Sequence, residues 1–141
     1  MEIAATETKF RHYTEVELRF NDFDMLGHLN NSVFFELTDL AKARFMEWLI
    51  HGNVDWLNWD LAVVNITSNF YAQIFPSDKI GVNTGVKSVS KHSFVIEQQV
   101  IKADSKQVCA VTTSVFCAFD RQTLRSKVLP EDLSQELRSM L

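Results

Sequence analysis

The sequence predicts an α+β fold in which an antiparallel five-stranded sheet wraps around a long central helix. Three observations predict it. One strand pattern is followed by a long apolar helix pattern and then by four extended runs. The helix carries too broad an apolar face for a surface helix, so a sheet has to enclose it. The last strands are joined by hydrophilic segments of hairpin length, which makes them antiparallel neighbours.

A chain of 141 residues that is 46% hydrophobic and has two prolines suits one domain with one core. The expected division is an N-terminal arm over residues 1–12 and a single domain over 13–141. A net charge of -4 argues against a nucleic-acid binder, which would show a basic surplus. With no apolar run of spanning length and no signal-like start, the chain reads as cytoplasmic, reduced and without a membrane partner. Cys109 and Cys117 stand on one extended run, about 26 Å apart along it, so they cannot bridge each other.

Met1 to Arg11 lack periodicity and read as a loose arm. From Thr14, apolar Val16, Leu18 and Phe20 alternate with Glu15, Glu17 and Arg19 as in a half-buried strand. After Asn31 the period becomes helical: Phe34, Leu37, Ala41, Phe45 and Trp48 share a face, opposite Glu36, Asp39, Arg44 and Glu47. Asn31 or Ser32 suits the cap, and Gly52 suits the left-handed position beyond the end. Asn53 to Asp60 reads as a connection. Strands are expected over Leu61–Tyr71, Lys79–Ser88, Phe94–Lys102 and Val108–Phe119, with a turn at Pro76, Ser77 and Asp78. Pro130 then opens a short amphipathic helix through Leu133, Leu137 and Leu141. Adjacent apolar residues such as Val63 with Val64, or Val115 with Phe116, leave apolar groups on both sheet faces, which points to self-association.

Chemistry concentrates between Phe20 and Asn31, where Asp22, Asp24, Gly27, His28, Asn30 and Asn31 crowd between strand and helix. The Asp24 carboxylate can lie beside the free amides of the helix start, whose dipole favours an anion or a developing oxyanion. A base beside an oxyanion site is what acyl transfer requires. Two other readings stand beside it: an Asx turn with His28 packed under the helix, or a metal site of Asp22, Asp24 and His28. Glu36 and Asp39 share a helix face and could act as bases or simply pair with Lys42 or Arg44. Lys87, Lys91, His92, Lys102, Arg121 and Arg125 form a basic set able to meet phosphates or only solvent. Neither cysteine has a motif for nucleophilic catalysis, and both read as buried strand residues.

The pattern D-x-D-x-x-G-H-x-N-N ahead of a long helix, here Asp22, Asp24, Gly27, His28, Asn30 and Asn31, resembles the hotdog-fold thioesterases of the 4-hydroxybenzoyl-CoA and acyl-CoA thioesterase family. The resemblance runs from about Glu15 to Leu133. Departures are Phe34, Asp39 and Lys42, where relatives often have Tyr, Glu and Arg, and Ser77 in place of a Gly. The resemblance implies a hotdog fold and a thioester hydrolase acting on an acyl-CoA or acyl-carrier-protein substrate. Asp24 would be the catalytic nucleophile or general base, with an amide near Asn31 polarising the carbonyl. Gly27, His28, Phe34 and Lys91 would contact substrate. It further implies no metal or organic cofactor, and an active site between subunits of a homodimer or homotetramer. An enoyl-thioester hydratase using Asp24 with His28, or a non-catalytic acyl-thioester binder, are the alternatives.

Overall fold

The first strand lies upstream of the apolar alternation that announced it. In the computed structural model, which describes residues 2–52 and 59–141, strand β1 is Lys9–Val16. Its more buried positions include His12, Thr14 and Val16. With Phe10 they form the inward set, but polar His12 and Thr14 separate its two apolar members, so the alternation could not be traced back to the strand's beginning. The chain leaves the sheet after Val16 because Asp22 folds back on Arg19: the Arg19 backbone N–H donates to Asp22 Oδ2 at 2.7 Å, and its Nη2 to Oδ1 at 2.9 Å. Phe20, expected as an inward strand residue, therefore begins a single 3-10 turn, Phe20–Asp22, and is 94% exposed. Nor is the segment before β1 loose. Thr6 Oγ1 and Thr8 Oγ1 donate to the buried Glu97 at 3.0 and 3.2 Å, which lays the arm on the outer face of the sheet. The boundary expected after residue 12 falls inside β1.

Helix α1 is Asn31–Leu49, capped one residue earlier than expected: the Asn30 side chain accepts from the Ser32 N–H at 3.3 Å. Phe34, Leu37, Ala41 and Phe45 are buried, while Glu36, Asp39 and Arg44 face water. Gly52 takes φ +87° and donates to Glu47 O at 2.7 Å, which ends the helix in the left-handed conformation that glycine adopts at little cost. One chain does not enclose the helix entirely. Phe35, Leu40 and Trp48 stay between 37% and 43% exposed. The connection read at Asn53 to Asp60 lies outside the described residues apart from Trp59 and Asp60.

Strands β2 (Leu61–Phe70), β3 (Ile80–Val89), β4 (Ser93–Lys102) and β5 (Val108–Ala118) complete one antiparallel sheet in the order β1-β3-β4-β5-β2. Helix α2, Glu131–Ser139, follows Pro130 and buries Leu133 and Leu137. Cys109 and Cys117 are both free thiols on β5, Cys109 buried and Cys117 half-buried.

The core is divided. One apolar cluster joins Val16, Phe34, Leu37, Val82 and Val100 near the start of α1. A second joins Phe45, Val86, Phe94, Ile96 and the α2 leucines near its end. Between them runs a row in register across all five strands: His12 opposite Thr84, Thr84 opposite Gln98, Gln98 opposite Thr112, Thr112 opposite Ser68. Gln98 Nε2 donates to Thr84 Oγ1 at 3.1 Å and to the Thr38 carbonyl of α1 at 3.0 Å, so the row holds the helix against the middle of the sheet. Burying polar side chains in this way is tolerated because most of them find partners, as the Gln98 amide N–H groups do.

Candidate active site

The loop from Asp22 to Asn30 is held closed by its own backbone. Phe23 bridges Leu29, the Asp24 N–H donates to His28 O at 2.9 Å, and the Asn30 N–H donates to Asp22 O at 2.9 Å. Gly27, at φ +79°, makes the left-handed turn that this closure needs. The Leu29 N–H donates to Ile74 O at 2.9 Å, tying the loop to the chain that follows β2.

The two aspartates have different tasks. Asp22 is buried, and burial pushes its carboxyl pKa up; the Arg19 N–H, the guanidinium hydrogen bonds and the Arg19 charge together outweigh that and hold it below its ordinary value. It is a structural brace. Asp24 is exposed, and its Oδ1 accepts from the N–H groups of Leu26 at 2.9 Å and His28 at 3.2 Å. The Asx turn expected of this stretch is therefore real, yet it engages only one carboxylate oxygen. Among the described residues Oδ2 accepts no hydrogen bond.

The helix start narrows to one free amide. The Asn30 N–H is used by Asp22 O, the Ser32 N–H by Asn30 Oδ1, and the Val33 N–H by Asn30 O at 2.9 Å. Among the described residues that leaves the Asn31 N–H without an acceptor, at the positive end of the helix dipole. Asp24 and Asn31 line one pocket of about 270 Å³, with His28 and Phe34. Its opposite wall is Phe70 to Ile74, which the sequence reading did not single out: Phe70 and Tyr71 read only as the end of a strand pattern, and Ala72 to Ile74, between that strand and the turn, carry no periodic signal.

Of the expected site residues, Asp24, His28, Asn31 and Phe34 come together and Gly27 shapes their loop. Lys91 does not join them within one chain. It sits between β3 and β4, where Val89 pairs with Phe94, whereas the Asp24 loop leaves the sheet where Val16 pairs with Ile80. Those ends of β3 are roughly 30 Å apart.

The His28 ring meets Phe75 edge-on at 5.5 Å, and its bonds to Asp24 run through backbone and carboxylate, so the imidazole–carboxylate pair wanted for a hydratase is not formed. Nor does the metal reading stand. Asp22 is committed to Arg19, and among the described residues no group of three or more His, Cys, Asp or Glu could hold a metal ion. The exposed Asp39 is paired at 2.9 Å with the buried Lys42, whose Nζ also donates to Ser114 Oγ at 3.1 Å, and the exposed Glu36 lies 3.6 Å from Arg19, so each carboxylate already has a cationic partner. Lys87 and Lys102 likewise face Glu97 and Asp78. Among the described residues no helix is long and apolar enough to cross a membrane.

Five antiparallel strands in one sheet against one long helix define a hotdog-fold protein. A family model described as the thioesterase-like superfamily matches residues 18–137, and the chain belongs to that superfamily, placing it among the thioester hydrolases. A thioesterase from Thermus thermophilus, solved with coenzyme A and zinc, is 25% identical with a TM-score of 0.79, over 91% of this chain and 92% of that one. A predicted thioesterase from Bacillus stearothermophilus is 21% identical with a TM-score of 0.81, over 92% and 95%. A 1,4-dihydroxy-2-naphthoyl-CoA thioesterase from Synechocystis is 18% identical with a TM-score of 0.81, over 91% and 96%. No curated protein matches the sequence.

Proposed function

We propose that the protein hydrolyses acyl-CoA or acyl-carrier-protein thioesters, with Asp24 as the nucleophile or general base and the Asn31 N–H as the oxyanion donor. The observation that carries this reading is one pocket lined by both Asp24 and Asn31, whose N–H has no acceptor among the described residues. With the thioester carbonyl oxygen on that amide, its carbon faces Asp24. Attack by Oδ2 breaks the C–S bond and gives an acyl-aspartyl anhydride that water then cleaves; alternatively Oδ2 takes a proton from the attacking water. Either route consumes one water and yields an acid and a thiol. Charge gathers on the carbonyl oxygen in both, and a donor aimed there is typically worth about 3 to 4 kcal/mol of barrier.

The working unit is a homodimer or homotetramer in the cytoplasm. Among the described residues no strand pairs with the outer edge of β2, and Val63, Val64 and Ile66 on that strand are between 39% and 59% exposed, which is a surface that a second copy would cover. Lys91, Gly27 and His28 contact substrate in that assembly, Lys91 being supplied by a copy other than the one whose Asp24 reacts. The coenzyme A bound by the Thermus thermophilus relative supports coenzyme A as the carrier here. Thiol release from short, long and aromatic acyl-CoAs tests the reading: release from at least one is expected, and release from none, with carrier-protein thioesters equally inert, refutes it.

A further inference from the structure

The pocket beside Asp24 is walled by Phe70, the last residue of β2. Its ring meets Phe34 edge-to-face at 5.0 Å and Phe35 at 6.4 Å. Phe34 is 3% exposed and fixed in the core by Leu37 and its neighbours, so it cannot yield. Phe70 is half-buried at the end of an edge strand and is the one of the pair with room to differ. What stands behind it matters as much. Two residues back along β2, on the same face, Ser68 shares a hydrogen bond of 3.0 Å with Thr112 Oγ1. Thr112 opposes Gln98, whose Oε1 is buried with no partner among the described residues. The polar row thus begins where the aromatic wall ends. An aliphatic tail pushed past Phe70 would strip hydroxyl groups of their partners and gain no apolar surface, an unfavourable exchange on both counts.

Resting on the thioesterase reading, we propose that Phe70 sets the acyl chain length: the site takes short or compact acyl groups that end against the Phe34–Phe70 pair and refuses long aliphatic tails. The test compares kcat/KM for thiol release from short, medium and long straight-chain acyl-CoAs by the full chain, Phe70→Ala and Phe70→Trp, with Tm as the check on folding. The parent favours the short substrates. Phe70→Ala raises the medium-to-short ratio by on the order of 10-fold or more, the discrimination typical of a methylene or two in an apolar pocket, while long tails still meet the Ser68–Thr112 row. Phe70→Trp moves the other way and lowers the medium-to-short ratio. A parent that prefers long chains, or a folded Phe70→Ala whose ratios match the parent, overturns the proposal while leaving the thioesterase reading intact. A parent that releases no thiol from any thioester overturns that reading first.

Discussion

Replacing Asp24 with asparagine removes a charge and almost nothing else. The amide carbonyl can still accept from the Leu26 and His28 N–H groups that Oδ1 now serves, so the loop keeps its closure. What disappears is the anionic Oδ2, and with it either the nucleophile or the base. General base action alone contributes roughly 100- to 10,000-fold, so kcat should fall by about that factor, equivalent to about 3 to 5 kcal/mol of barrier. Stability should barely move: a lost carboxylate near a helix start costs about 0.3 to 1 kcal/mol, or roughly 1 to 3 °C in Tm for a domain of this size. Asp24→Ala separates the two roles, because it also leaves two loop N–H groups to water at about 0.5 to 1.5 kcal/mol each. The assay is thiol release under saturating and limiting acyl-CoA, with Tm measured on the same preparations. Should folded Asp24→Asn keep more than about a tenth of the parent kcat, Asp24 would not be the reacting carboxylate.

Asp22→Asn should lower Tm at neutral pH, since it weakens hydrogen bonds to a charged partner worth about 1.5 to 3 kcal/mol. Because Arg19 holds the folded-state pKa below the ordinary 3.8, this contribution is complete above that pH and is lost as pH falls through the lower folded value; acid titration of Tm should therefore be shallower in the variant. A Cβ added at Gly27 meets no neighbour within 4 Å, so the cost of Gly27→Ala is backbone strain at φ +79°, at least about 1 to 2 kcal/mol, and kcat should drop as the Asp24 loop reopens; unchanged kcat would separate loop shape from catalysis. Ile66→Glu places a charge on the free β2 edge and should lower the mass seen by sedimentation; a parent that is already monomeric would end the dimer proposal.

Much of the architecture was legible because its signals are local. The helix announced itself through Phe34, Leu37, Ala41 and Phe45, and the three later strands through β-branched runs whose ends the structure moves by a residue at most. Strand β1 was misplaced because two of its three more buried positions near the end, His12 and Thr14, are polar, and a polar row inside a core has no periodicity to betray it. The arm was misjudged for a similar reason. Its anchor, Glu97, lies 91 residues from Thr6, and nothing local links them.

The same division runs through the site. The sequence alone determined that Asp24 precedes a helix start by a short loop containing Gly27, because the turn, the cap and the helix depend on neighbours a few residues away. Only the tertiary structure decided the rest. Asp22 became a brace when it was buried against Arg19, Asn31 became the free amide when Asp22, Asn30 and the first helical turn used up the others, and Phe70 became a wall when β2 ended beside α1. Each of those outcomes turns on which groups are left unpaired once the sheet closes on the helix. That is settled by contacts between distant segments and is invisible to any local pattern.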